Sequence, residues 1–174
     1  MSDVFYLRPI DPPIALADVQ IMAQHAGGCF NLHRVDWRQS FLADDGARML
    51  CWYRAPDAES ARLALRQLGS DMNAVWAGEA FGDGSPIPET SKARVVAEIV
   101  VGEPLARDEP ARRIPALREQ GIEPIGGFLS ARGTLLVLLF AAADVRAVER
   151  ALAAIGLPPQ SAWGCTPVTP KVTR

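Results

Sequence analysis

VDWRQSFLADDGARMLCWYRAPDAESARLALRQLGSDMNAVW, residues 35–76, is matched without a gap by IEPIGGFLSARGTLLVLLFAAADVRAVERALAAIGLPPQSAW, residues 122–163. The two segments are offset by 87 residues, half of the 174-residue chain. An internal repeat of this length indicates a duplicated folding unit. The identical pairs are Phe41/Phe128, Leu42/Leu129, Gly46/Gly133, Ala55/Ala142, Asp57/Asp144, Ala64/Ala151, Leu65/Leu152, Gly69/Gly156 and Trp76/Trp163.

Several repeated residues have a clear local role. Gly46 and its partner each lie between two strand-like runs, where a tight hairpin needs a positive φ. Asp57 and its partner precede apolar residues spaced i, i+3, i+4 and i+7, which is typical of a helix N-cap. Gly69 and its partner follow the last apolar residue of that helix, where a left-handed cap favours glycine. Both segments therefore predict strand, hairpin, strand and helix in the same places.

Outside the repeat, Val4–Pro9 and residues 93–101 are predicted first strands, each followed by a turn with proline and by a helix. We therefore predict an α+β fold of two ferredoxin-like βαββαβ repeats, residues 1–81 and 93–174, joined by the Gly-, Pro- and Ser-rich linker 82–92. One such repeat covers both faces of its sheet poorly. We expect the pair to pack with pseudo-twofold symmetry, as a dimeric α+β barrel.

Composition restricts the possible partners and location. A net charge of -2 makes nucleic acid an unexpected partner, since phosphate backbones attract clustered Lys and Arg. The chain has no long apolar run and no signal-like start, so we expect a cytoplasmic protein without a membrane partner, either monomer or homodimer. No GxGxxG, P-loop, HExxH or GxSxG motif occurs.

The stretch from Val35 to Phe81, together with DPP at 11–13, resembles a small bacterial ferredoxin-like domain family of unknown function that is often labelled nickel-binding. The resemblance is carried by a hairpin with DG, a following cysteine, APDAES and a late tryptophan. Members usually form dimers of the dimeric α+β barrel kind, so the resemblance implies that this chain is such a dimer fused end to end. Residues 64–68 replace the histidines that metal-binding members carry in the second helix.

A candidate metal site consists of His25, Cys29 and His33, whose spacing of four places them along one side of a continuous helix. Imidazole and thiolate ligands suit nickel, copper or zinc, and we expect nickel or zinc as the cofactor of such a site. The alternative is that these side chains pack in the core or lie on a solvated helix flank.

A candidate catalytic group consists of His33, Asp36 and Arg38, with Ser40 beside it. Strict alternation along the second strand would place Asp36, Arg38 and Ser40 on one face. If that face lines a cleft, these residues could orient a carboxylate or enol, with His33 as the base. The alternative is the solvent face of a half-buried strand.

The two repeats differ in polarity, because residues 134–143 of the second repeat, TLLVLLFAAA, carry few polar groups. We therefore expect a ligand cleft lined mainly by the first repeat, with Ser40, Tyr53, Trp76 and Trp163 as ligand-binding residues. The aromatic residues could equally fill the core.

Three functions follow as hypotheses. The first is binding of a small molecule or a metal ion. The second is a cofactor-independent isomerase or cyclase with a His/Asp/Arg acid–base site. The third is a structural protein that interacts through a strand edge or a sheet face.

Overall fold

The computed structural model describes residues 1–71, 74–82, 90–141 and 144–171. In these residues the fold is α+β, with four α-helices and eight strands. None of the helices described is both long and apolar enough to cross a membrane. The elements are β1 Ser2–Pro9, α1 Leu16–Leu32, β2 Asp36–Ala43, β3 Arg48–Ala55, α2 Ala58–Gln67, β4 Val75–Gly82, a 3-10 turn Thr90–Lys92, β5 Val95–Val100, α3 Glu109–Glu119, β6 Pro124–Ser130, β7 Leu135–Phe140, α4 Val145–Ala154 and β8 Ser161–Val168.

The chain divides into two compact units. The first unit comprises residues 1–78 and 167–174, and the second comprises residues 79–166. Most of the predicted linker 82–92 lies outside the described residues, because the structure describes only Gly82 and Thr90–Lys92 of it.

The first unit contains an antiparallel sheet in the order β4-β1-β3-β2. Val4 pairs with Tyr53 and Tyr6 pairs with Cys51, so these four side chains share one face of the sheet. Apolar residues of α1 and α2 cover that face, among them Phe30. Of the periodic apolar positions of α2, Ala61, Ala64 and Leu65 belong to the core between the helices and the sheet, whereas Leu68 is exposed.

The second unit contains an antiparallel sheet in the order β8-β5-β7-β6. Val95 pairs with Phe140 and Ala97 with Leu138, in the register of Val4 and Tyr6 in the first unit. Leu117 is among the residues that complete this core, which is built almost wholly from aliphatic side chains.

The predicted turns and caps are confirmed. Gly46 and Gly133 have φ of 70° and 71°, and Gly69 and Gly156 have φ of 75° and 78°. Oδ1 of Asp57 accepts a hydrogen bond from the backbone N–H of Ser60 at 2.7 Å. The carboxylate of Asp144 accepts from the N–H groups of Arg146 and Ala147 in the same way.

Strict alternation along the second strand was a wrong expectation. The register of β2 on β3 shifts between Trp37 and Gln39, so Arg38 is an extra residue in a β-bulge. After the bulge, Ser40 lies opposite Cys51 and shares a face with Trp37 instead of with Asp36 and Arg38. An equivalent shift between Pro124 and Gly126 makes Ile125, 87 residues after Arg38, the extra residue of β6.

Candidate functional site

The first unit contains a cavity of about 210 Å³ between its two helices and the covered face of its sheet. Its walls are mainly apolar and aromatic. The residues that matter for its chemistry are Arg8, Met22, His25, Phe30, Trp37 and Tyr53.

Alternation along β1 and β3 determines which polar side chains face the two helices. Tyr6 and Arg8 lie two residues apart on β1 and pair with Cys51 and Met49 of β3. All four therefore face the helices. Tyr53, the next residue of β3 on that face, is only 2% exposed. A guanidinium, two phenols and a thiol thus lie on one face of the sheet beneath α1 and α2.

Arg8 has no carboxylate partner among the described residues. Its Nη2 donates to the thioether Sδ of Met22 at 3.5 Å, and its guanidinium carbon lies 5.6 Å from the ring centroid of Tyr6. Its Nε is buried and has no hydrogen-bond partner in the structure. A thioether is a weak acceptor, and a buried donor without a partner costs free energy. The phenol of Tyr6 is also hydrogen-bonded to the Arg8 side chain. Arg8 therefore presents to an apolar cavity a positive charge that has no carboxylate partner among the described residues.

A chain of hydrogen bonds runs behind the cavity wall. The indole Nε1 of Trp37 donates to Oγ of Ser40 at 2.9 Å, and that hydroxyl donates to Sγ of Cys51 at 3.1 Å. The hydroxyl of Tyr53 is also hydrogen-bonded to the Cys51 thiol. The bonds fix the orientation of Trp37 and Tyr53, and both of these residues line the cavity.

Burial controls the protonation of the Cys51 thiol and the Tyr53 phenol. Burial raises the pKa of the Cys51 thiol, although the hydrogen bond from Ser40 opposes the shift. Burial also raises the pKa of Tyr53 well above its usual value, and the neighbouring Cys51 adds to the effect. Both groups are therefore neutral at physiological pH, so neither of them places an anion beside Arg8.

His25 of α1 also lines the cavity, and its side chain is exposed to solvent on the other side. Its Nδ1 lies 2.8 Å from the carbonyl oxygen of Ile21. A carbonyl oxygen can only accept, so Nδ1 must carry the proton of this bond. In the neutral imidazole, Nε2 then holds the lone pair and can accept a proton.

On the equivalent sheet face, the second unit has apolar residues in place of these polar groups. At the corresponding positions of its sheet, it carries Ala97 for Tyr6, Ile99 for Arg8, Gly127 for Ser40, Leu138 for Cys51 and Phe140 for Tyr53. The same local architecture therefore forms with apolar residues alone. The polar groups of the first unit are not required by the fold.

The structure brings together two of the three predicted catalytic residues, Asp36 and Arg38, but not His33. Nη1 of Arg38 and Oδ2 of Asp36 form an ion pair at 3.0 Å, with about half of each side chain exposed. His33 follows the last residue of α1, and its ring makes no hydrogen bond to either of them. The bulge at Arg38 explains why Ser40 points away from this pair.

The predicted metal ligands are not grouped either. Within the described residues, no cluster of three or more His, Cys, Asp or Glu side chains is placed to hold a metal ion. The physical reason is that α1 ends at Leu32, so His33 leaves the helical spacing, while Nδ1 of His25 is bonded to the helix backbone.

The predicted ligand-binding residues lie in three different places. Tyr53 lines the cavity, and Ser40 supports its wall. Trp76 pairs with Phe5 on the opposite face of the sheet, where the two rings are 4.6 Å apart. Trp163 belongs to the second unit, and its Nε1 donates to the buried carboxylate of Glu98 at 2.7 Å.

Sequence reasoning missed Arg8, Tyr6 and Met22. The available signal was the alternation of VFYLR at residues 4–8, which places Val4, Tyr6 and Arg8 on one face. Core packing does not explain a charged residue on the same strand face as a buried valine.

Comparisons with known proteins give no family. No family model matches the chain, and no curated protein matches it in sequence. A solved structure of a proposed chlorite dismutase is 10% identical over 96% of this chain and 94% of that one, with a TM-score of 0.46. An anthrone oxidase-like protein is 8% identical over 96% and 92%, with a TM-score of 0.43. A proposed monooxygenase from Lactobacillus acidophilus is 11% identical over 97% and 94%, with a TM-score of 0.44.

Proposed function

We propose that the cavity of the first unit binds a small, mainly apolar molecule that carries one anionic oxygen group. The observation that supports this proposal is the guanidinium of Arg8, which faces an apolar cavity without a carboxylate partner. A ligand carboxylate or enolate would supply the missing acceptor through a charge-assisted bond.

The cavity volume indicates the size of the ligand. An apolar cavity of about 150 Å³ can hold benzene. The cavity of about 210 Å³ therefore suits one ring with a short acidic substituent. Phe30 meets Tyr53 edge-on at 5.5 Å between centroids, and Trp37 lies 5.6 Å from Tyr53. These rings favour an aromatic ligand, because aromatic pairs prefer edge-on and tilted contacts.

Benzoate tests this proposal, with the neutral isostere benzamide as its control. Isothermal titration should show binding of benzoate to the wild type and binding of benzamide at least tenfold weaker. Arg8→Met should remove the preference for benzoate. Arg66→Met removes the same charge from the exposed face of α2 and should leave binding unchanged. Equal affinity for the two ligands in the wild type would exclude a role for Arg8 in anion binding.

A second candidate function is proton transfer to and from carbon in a cofactor-independent isomerase. The specific support is His25, whose Nδ1–H bond leaves Nε2 as a base on the same cavity as Arg8. The base would take a proton from the carbon next to a carbonyl, and Arg8 would stabilise the enolate oxygen. Return of the proton to another atom completes a redox-neutral isomerisation.

Deuterium exchange distinguishes binding from catalysis. In D2O, the wild type should accelerate exchange of the benzylic protons of phenylpyruvate, measured by NMR. His25→Gln should abolish the acceleration while benzoate binding persists. Exchange at the buffer rate with wild-type protein would leave the cavity as a binding site only.

We further infer that the chain arose by duplication of one βαββαβ unit and that the copies then took different roles. Support comes from the common element order, from bulges 87 residues apart at Arg38 and Ile125, and from the shared cap residues. The second copy retains an apolar core, whereas the first carries polar groups in the equivalent core. This difference supports the proposal that the first copy binds the ligand.

A further inference from the structure

Arg34 has a backbone conformation that glycine adopts at the equivalent helix ends. Its φ is 57°, and it is the one non-glycine residue with positive φ in the described parts of the chain. It ends α1 in a Schellman motif, in which Val35 N–H donates to the carbonyl of Phe30 at 2.8 Å. The other three helices end with the same bond pattern, and their left-handed residues are Gly69, Gly121 and Gly156.

A comparison with Gly121 shows that the turn itself does not require the side chain of Arg34. Gly121 lies 87 residues later, at the same end of the equivalent helix α3. An L side chain in the left-handed region is strained, while glycine is not. The fold therefore accepts glycine at this position, and an arginine here needs a reason other than the turn. Strained residues of this kind cluster at functional sites.

Arg34 lines a recess of about 590 Å³ in the first unit, together with Lys171, Asp36 and Trp37. The side chains of Arg34 and Lys171 make no ion pair with a described residue, and Asp36 is already paired with Arg38. The chain at Lys171 is held in place, because its backbone N–H donates to Oε1 of Gln20 at 3.0 Å. Two uncompensated cations therefore face one recess.

We propose that this recess binds a phosphate monoester through Arg34 and Lys171. A phosphate monoester carries a charge of about −1.5 to −2 near pH 7, which matches two cations better than a single carboxylate does. The guanidinium fork suits bidentate contact with phosphate oxygens, and the ammonium adds a point charge. The buried ring of Trp37 and the neighbouring Phe30 form an apolar wall for an organic substituent. The site differs from the cavity at Arg8, although the two share these rings as walls.

Phenyl phosphate is the probe, and phenol is its uncharged control. Isothermal titration should show phenyl phosphate binding at least tenfold more tightly than phenol. Arg34→Gly should weaken phenyl phosphate binding at least tenfold and raise the Tm, since it relieves the strained backbone. Lys171→Gln should weaken binding as well. A lower Tm of Arg34→Gly would show that arginine serves the turn itself and would overturn the proposal.

A charge-matched double variant separates the effect of the position of the arginine from the effect of net charge. Arg34→Gly combined with Gly121→Arg keeps the overall charge and moves the arginine to the equivalent helix end of the second unit. This double variant should not recover phenyl phosphate binding. Recovery would mean that binding depends on net charge alone. Arg66→Met, which removes a charge from the exposed face of α2, should retain wild-type affinity for phenyl phosphate, and loss of affinity in that variant would overturn the inference.

Discussion

Arg8 and Ile99 occupy the same position in the sheets of their two units. Arg8 pairs with Met49 on β3, and Ile99 pairs with Leu136 on β7, 87 residues after Met49. Isoleucine at this position is buried in an aliphatic core, whereas arginine faces a cavity. The first unit therefore carries a charge where the same architecture accepts a hydrocarbon in the second unit, so core packing alone does not explain Arg8.

Arg8→Ile should stabilise the protein while removing anion binding. The variant eliminates a buried donor without a partner, worth about 1–3 kcal/mol, and loses a cation–π contact worth about 0.5–1 kcal/mol. The free energy of unfolding should therefore rise by about 1 kcal/mol, measured by urea denaturation without ligand. Arg66→Ile, on an exposed helix face, should change it by less than about 0.5 kcal/mol. Destabilisation by Arg8→Ile would show that Arg8 supports the fold.

Stability should fall at alkaline pH because of Cys51 and Tyr53. Burial raises the pKa of both groups in the folded state, so they remain protonated there while the unfolded chain ionises. Their contribution is complete below the unfolded pKa values, about 8.5 for Cys and about 10 for Tyr, and is lost as the pH rises above them. Each group can add a slope of up to about 1.4 kcal/mol per pH unit.

The variant Cys51→Leu with Tyr53→Phe tests this linkage, since it installs the residues found at Leu138 and Phe140 of the second unit. Urea denaturation between pH 7 and pH 11 should show a shallower decline for the variant than for the wild type. Parallel curves would mean that neither group is shifted by the fold.

Element order and caps could be predicted from the sequence because they depend on local patterns. Asp57 caps the helix that follows it within three residues, and Gly46 closes a hairpin between adjacent strands. The bulge at Arg38 could not be predicted in this way. An extra residue in a strand is recognised by its pairing with another strand, and that pairing does not show in the apolar pattern of one segment.

The candidate site was only partly predictable for the same reason. The alternating apolar residues of its strand predict an inward-facing Tyr53, and Tyr53 lines the cavity of the first unit. Arg8 was overlooked because a charged residue near the end of a first strand is typical of solvent exposure. Only its pairing with Met49 and its contact with Met22 place it under α1. The sequence marks His25 through its spacing to Cys29, whereas its position beside the cavity depends on the tertiary structure.

Ser40→Ala should destabilise the protein by about 1–3 kcal/mol, the cost of a buried polar group left without its partner. The change removes the acceptor of the Trp37 indole and the donor to Cys51, both in a buried setting. Ser60→Ala is the matched control, because its hydroxyl bonds Asp57 at an exposed helix start and should contribute less than about 1 kcal/mol. Urea midpoints measure both effects. Equal losses of stability in the two variants would show that the buried hydrogen bonds of Ser40 contribute no more than the exposed hydrogen bond of Ser60.

Two glycines should respond to alanine in opposite directions. At Gly46, φ is 70° and an added Cβ would meet the carbonyl oxygen of Ile14 at 2.2 Å, so Gly46→Ala requires backbone movement as well as a left-handed alanine. The left-handed conformation alone costs roughly 1–2 kcal/mol, and the clash adds to it. Gly28 lies inside α1 with no atom within 4 Å of an added Cβ, so Gly28→Ala should stabilise the helix by about 1 kcal/mol. Thermal denaturation should therefore show a lower Tm for Gly46→Ala and a higher Tm for Gly28→Ala. Since both variants add one methyl group, a shift in the same direction would mean that local backbone geometry does not control stability at these positions.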